Sequence, residues 1–444
     1  MAAQPQVPVE RRRHDPTLVE RYRAGHPRPL KQGTFRSLGL GLITGASDDD
    51  PAAIGTYAAA GAALGPSFLW VAPVVLPMMF AVVYLSSKLG QVAGQGLFAV
   101  IRQNYPRWLL YFLLITAVAG NIVEAGADLG GMAAALNVIV PVPIGGMVAV
   151  LGIFVLSLQI RGYKLIRNIF RWLALALLAY VGSAVLAKPD LLAVIKGTLV
   201  PTFQFNKNFF AMLVAVVGTS LSAYLYSWQS NQEVEEDISM GRRRFADRVG
   251  TTDQELQHSR RDVAFGMFFS NLVMYFIILS TAATLFKIGK TDINTAAEAA
   301  QALRPLAGKA AGLLFAAGVF GVGFLAVPVM TIGAAFDVCQ TFGWRHGLHA
   351  EPRQAKPFYA LLVIFTAIAI GMNFFGINPM KALVYAGIVQ GVSTPFLMLL
   401  VMLITNNRKI MGRWVNTRAT NIVGWLTLAA MSAATIGLLI TLVQ

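Results

Sequence analysis

The sequence predicts an all-α integral membrane protein of eleven transmembrane helices, built as two inverted repeats of five spans plus one further helix. Three observations carry that prediction. Eleven apolar stretches approach the ~20 residues needed to cross a bilayer. The first and the sixth of them, five spans apart, are interrupted by polar and helix-breaking residues, as the leading helix of each repeat is in inverted-repeat membrane folds. Across 444 residues, 56% are hydrophobic and only 13% charged, against roughly a quarter charged in soluble domains.

The stretches fall at residues 36–64 (broken), 67–88, 108–138, 143–160, 165–187, 208–232 (broken), 262–287, 309–340, 357–374, 380–404 and 420–443. The repeats therefore occupy about 36–187 and 208–404, with 420–443 as the additional helix, and the transmembrane domain takes all of 36–444. Residues 1–35 are basic and polar and lack the apolar core of a cleavable signal peptide. They read as a cytoplasmic tail that touches anionic lipid.

A net charge of +15 raises the question of nucleic acid, and the distribution of basic residues answers it. With the amino terminus inside, 28 of the 36 basic residues, from Arg11–Arg13 through Arg242–Arg244 to Arg418, lie in cytoplasmic segments. The positive-inside rule then gives a multi-pass protein of the inner (plasma) membrane, with a cytoplasmic amino terminus and an external carboxy terminus. No nucleic acid partner is needed. Cys339 is the only cysteine, which excludes an intramolecular disulfide and a cysteine-rich metal site. No P-loop is present, which argues against ATP-driven transport. No nucleophile and base pair can be assigned within the spans, so an enzyme is not expected.

The run Thr44-Gly45-Ala46-Ser47-Asp48-Asp49-Asp50-Pro51 sets three carboxylates and a helix breaker inside the first span. Ionisable groups at membrane depth are costly, and broken backbone is tolerated there only where protein or water satisfies it. Asp50 before Pro51 is a ready N-cap for the second half of the span. A capping carboxylate beside freed carbonyls is also a natural cation or proton site. Asp48 and Asp49 either share that role or face a solvated vestibule. In the sixth span, apolar Val216 and Val217 give way to Gly218, Thr219, Ser220 and Ser222, followed by Tyr224. In the third, Asn121, Glu124 and Asp128 share one helical face. That face is either a polar seam gluing helices together or a proton relay with Asp50, and the relay is the preferred reading. Asp337 reads as an interfacial group, and Glu233, Glu235, Glu236 and Asp237 as a solvated face paired to Arg242–Arg244. The five histidines, His14, His26, His258, His346 and His349, lie outside the spans and read as solvated.

These segments resemble a known family. Asp50-Pro51-Ala52-Ala53 with Thr56 and Ala60-Gly61-Ala62 is similar to the DPGN segment of the NRAMP (natural resistance-associated macrophage protein) divalent-metal transporters. Ala135-Leu136-Asn137, Tyr224-Leu225-Tyr226-Ser227, Thr394-Pro395-Phe396 and Arg408-Lys409-Ile410-Met411-Gly412 agree in the same order. The resemblance runs from about residue 36 to near the end, as to a divergent prokaryotic branch. It implies a LeuT-type fold and proton-coupled uptake, with the proton as coupling ion and no cofactor.

The chain departs from the family at the ligands. The Asp survives as Asp50, but Ala53 stands at the Asn position, Thr219 at the Met position and Leu221 at the His position. Asp128 falls where the family has a Glu, and Ala125 where it has an Asp. Two substrate readings follow. In the first, a small polar organic solute such as a urea- or amide-like compound is held by Asp50, Tyr57, Thr219, Ser220, Ser222 and Tyr224, against an apolar wall of Ala53 and Val216. In the second, Asp48, Asp49 and Asp50 with water carry a hard divalent cation such as Mg²⁺, in preference to Mn²⁺ or Fe²⁺, because oxygen ligands suit hard ions. The first is the main expectation and the second its alternative. A sensor or channel on the same scaffold is the reading from a different class. The carrier is expected to be monomeric, with membrane lipid and its small-molecule or ion substrate as partners.

Overall fold

A computed structural model describes residues 40–161 and 178–443. The expected tail at 1–35, the first part of the fifth span and Gln444 lie outside the described residues. Those residues are helical, with no β-strand among them. The first span is two helices, α1 (Leu40–Asp48) and α2 (Pro51–Leu64). Then follow α3 (Val71–Ala93), α4 (Arg107–Asn137), α5 (Ile144–Arg161) and α6 (Ala179–Leu186), the last being the described part of the fifth span. The sixth span is again two helices, α7 (Lys207–Ser220) and α8 (Ala223–Ser239). The remaining spans are α9 (Asp253–Thr284), α10 (Ala311–Phe342), α11 (Lys356–Met372), α12 (Pro379–Thr405) and α13 (Arg418–Val443).

Both breaks come where the residues demand them. Pro51 has no N–H to offer, and Asp50 ahead of it takes extended dihedrals (φ −64°, ψ 171°) and caps α2 with its side chain. Leu221 leaves the helical region at φ −130°, ψ 41°, and Ser222 is extended, so α7 stops and α8 restarts within two residues.

Hydropathy misplaced two ends. α9 begins at Asp253, ahead of the apolar run, because Thr252 and Glu255 form a reciprocal capping box that starts the helix in polar sequence. α8 continues to Ser239 through Glu233 and Asp237, since its polar residues are buried against neighbouring helices. Two short helices, Leu97–Asn104 and Leu191–Leu199, were not expected at all.

The two broken spans and α4 run through the middle of the bundle. α1 and α2 pack on α9, α7 packs on α12, and α10 packs on α4. Close approach is glycine-dependent at the first of these contacts: a Cβ on Gly45 would collide with the backbone of Gly266. Pro395 cannot donate to the carbonyl one turn back, and Thr435 Oγ1 of α13 takes that Gly391 oxygen at 3.0 Å. The thirteenth helix is thereby tied to α12 at the carbonyl that Pro395 leaves free.

Candidate functional site at the two helix breaks

Asp50 occupies the first break with no exposed surface. Its Oδ1 accepts from Ala53 N at 2.6 Å, while Oδ2 is buried with no donor among the described residues. The adjacent free N–H of α2, on Ala52, donates to Asp128 Oδ1 at 2.8 Å, and Asp128 Oδ2 is likewise without a donor. Two carboxyl groups from different spans thus share one helix N-terminus, whose partial positive charge suits them.

Glu124 reaches the second break. Ser222 Oγ donates to its Oε1 at 2.8 Å, and Gln390 Nε2 of α12 donates to its Oε2 at 2.8 Å. Gln390 Oε1 in turn accepts Ala223 N at 3.0 Å, which satisfies the N-terminus of α8. Asn121, a turn away on the same face of α4, is buried, and its amide makes no hydrogen bond among the described residues.

Asp48 and Asp49 do not face a solvated vestibule: both are buried beside α9. Ser270 Oγ lies 2.9 Å from Asp48 Oδ2 and 3.3 Å from Asp49 Oδ1. Nor do the three aspartates converge as a metal cage. Asp50 turns toward Ala53 while its two neighbours turn toward Ser270, and no cluster of three or more His, Cys, Asp or Glu side chains able to hold a metal occurs among the described residues. Consecutive residues at a helix end project in different directions, so adjacency in sequence did not become convergence in space.

The remaining expected residues gather at the same breaks. Tyr57 OH and Ser220 Oγ are 2.7 Å apart. Ala53, Val216, Thr219 and Tyr224 are all fully buried. Thr219 Oγ1 lacks a partner among the described residues, and Ser222 Oγ also bonds back to Thr219 O at 2.9 Å. Sequence reasoning missed Gln390 and Ser270, although a glutamine in the middle of an apolar span was a visible signal. It also missed Met274, whose sulfur lies 3.8 Å from Ser220 Oγ.

Several cytoplasmic expectations are corrected. Asp337 is fully buried within the protein and accepts from Ser227 Oγ at 3.0 Å. Glu233, Glu235 and Asp237 are buried. Glu233 accepts from Ser87 at 2.8 Å and from Gln229 at 3.1 Å, and Thr44 of α1 donates to that same Gln229 at 2.7 Å. Arg242 does pair, with Asp237 at 2.6 Å and Glu255 at 2.8 Å. Burial alone would depress its guanidinium, but the two carboxylates outweigh that and raise its pKa. His349 is exposed, as expected, and also pairs with the buried Glu235. Burial pushes the His346 pKa below its ordinary value.

Comparison with known proteins identifies the fold and the family. Residues 41–441 match the family model for natural resistance-associated macrophage protein-like (Nramp) proteins. A divalent metal cation transporter MntH of Deinococcus radiodurans is 28% identical over 88% of this chain and 86% of its own length. The MntH of Bacillus subtilis is 25% identical over 92% and 93%. Among solved structures, the manganese transporter of Eremococcus coleocola superposes with a TM-score of 0.70 at 16% identity, covering 93% of this chain and 88% of that one. Mhp1, a nucleobase-cation-symport-1 family transporter, does so at 0.58 and 14%, covering 91% of each. The all-helical fold with two broken spans is therefore the LeuT-type fold, and the chain belongs to the Nramp family of membrane transporters.

Proposed function

We propose that this chain is a proton-coupled secondary importer of a divalent metal cation. One observation carries the reading. Asp48, Asp49, Asp50, Glu124 and Asp128 are all buried around the two breaks, and no lysine, arginine or histidine among the described residues pairs with any of them. Buried carboxylates without counter-charge demand either protons or cations. A divalent ion and protons exchanging for one another answer that demand with a single group of residues.

A urea- or amide-like solute fits less well. Its N–H groups could occupy the free oxygens of Asp50 and Asp128, but it brings no positive charge to a site rich in acids. The two MntH relatives are named divalent metal cation transporters, which supports the same choice.

The ion would rest on Asp50 Oδ2, the Thr219 hydroxyl and waters it retains, not on a cage of three aspartates. Such an oxygen-rich, partly hydrated set suits a hard ion such as Mg²⁺. The proton would pass among Asp50, Glu124 and Asp128. Movement of the broken spans against α4 and α10 would then expose the site to either side. The protein is proposed to work as a monomer in the inner (plasma) membrane, amino terminus inside and carboxy terminus outside, with the repeats at about 36–187 and 208–404.

Isothermal titration of the purified protein with Mg²⁺, Mn²⁺ and a panel of small amides and ureas tests the reading. Saturable metal binding that Asp50→Asn abolishes is the expected result. Saturable binding of an amide with both metals silent would overturn it.

A further inference from the structure

The seam between α8 and α10 holds another buried carboxyl group, away from the helix breaks. Ser227 Oγ donates to Asp337 Oδ2 at 3.0 Å, and about one turn further Gln340 Nε2 donates to Asn231 Oδ1 at 2.6 Å. Two polar rungs therefore join one half of a broken span to a long continuous helix. Asp337 has no exposed surface, and its Oδ1 has no donor among the described residues. Elements packed against α10 carry Asp48, Arg102, Arg107, Glu124, Asp128, Glu233, Glu235, Glu236, Asp237, Glu298 and Lys356, yet among the described residues none of these pairs with Asp337, whose one hydrogen-bond partner there is Ser227. An ionised carboxylate so placed would lack a counter-charge and half of its hydrogen bonds, which is far costlier than burying the neutral acid.

We propose that Asp337 is a separate proton-carrying site, whose neutral carboxyl holds α8 against α10 and whose proton leaves to water when the two helices part. The Asp337 O–H bond breaks as water enters the seam. The proton passes to that water and the carboxylate stays hydrated. Reclosing the seam requires taking one proton back. In carriers with discontinuous spans one helix bundle rocks or gates against the other, a movement that would part such a seam. Opening is thereby linked to proton release at a second place in the molecule, independently of which solute Asp50 holds.

The test is infrared difference spectroscopy of the liposome-reconstituted protein during a pH titration, following the carbonyl band of protonated carboxylic acids. Asp337→Asn is expected to lose one component of that band while keeping the wild-type melting temperature. A folded Asp337→Asn protein with the full wild-type band would overturn the proposal. Should that variant fail to fold, Ser227→Ala decides, read by amide hydrogen exchange in α8 after correction for intrinsic rates. In the wild type, exchange in α8 is expected to rise with pH as the seam opens, and in Ser227→Ala it is expected to be fast at both ends of the range. A Ser227→Ala protein that retains the wild-type pH response overturns the proposal.

Discussion

Gln390 Nε2 donates to Glu124 Oε2 at 2.8 Å, and the oxygen of the same amide accepts the Ala223 N–H at 3.0 Å. One side chain of α12 therefore links a carboxyl group in α4 to the start of α8. Ser222 makes a second link, to the other oxygen of Glu124 at 2.8 Å. The charge on Glu124 and the position of α8 are consequently bound by shared hydrogen bonds, and a change in one biases the other.

Replacing Gln390 by leucine removes both halves of that link. It leaves a buried Ala223 N–H and one Glu124 oxygen unpaired, each costing about 1–3 kcal/mol. We expect a lower melting temperature in detergent and slower uptake in proteoliposomes, with substrate affinity at equilibrium little changed. Loss of binding with normal stability would instead put Gln390 in the substrate site.

Glu124→Gln and Asp128→Asn preserve shape while fixing one charge state. Transport by both is expected to lose its dependence on an imposed pH gradient, while ion binding at Asp50 persists. The readout is uptake with and without the gradient, beside binding by titration. An unchanged gradient dependence in both variants removes these two groups from proton coupling.

The helices and the breaks were legible because a bilayer imposes a length and a polarity that sequence displays directly. Asp50-Pro51 and the small hydroxyl-rich run before Tyr224 marked both interruptions to within a few residues. The polar ends were not legible. The start of α9 depends on the Thr252–Glu255 capping box, and α8 continues through Glu233, which finds partners on α3 and α9, so hydropathy was blind to both. At the site, the sequence pointed to Asp50, Glu124 and Asp128 but took the aspartate run for one cluster. Which carboxylate meets Ser270 and which meets Ala53 is decided by backbone direction at the break. Partners contributed by distant helices, Gln390 and Ser270 above all, become visible only once the helices are packed.

Asp50 caps α2 and is also the proposed ligand, and two substitutions separate the roles. Asparagine is as good a cap as aspartate, so Asp50→Asn should keep the melting temperature while losing ion binding and uptake. Alanine removes the cap as well, at about 0.5–2 kcal/mol. Asp50→Ala should therefore be both inactive and less stable. If the two variants melt alike, the 2.6 Å contact with Ala53 N contributes nothing to stability.

Ala53 and Thr219 stand where the family resemblance puts an amide and a thioether, and both are fully buried. Thr219→Met adds a soft sulfur at the second break, and Ala53→Asn adds an amide oxygen at the first. Both enlarge a packed wall, where overpacking costs about 1–3 kcal/mol. The double variant is therefore expected to melt lower, yet to bind Mn²⁺ and Cd²⁺ more tightly relative to Mg²⁺, because thioethers favour softer ions. Competition titrations read the ratio directly, and the ratio is insensitive to a general loss of stability. An unchanged ratio in a folded double variant would mean that these side chains do not point at the ion, and that selectivity is set elsewhere around the two breaks.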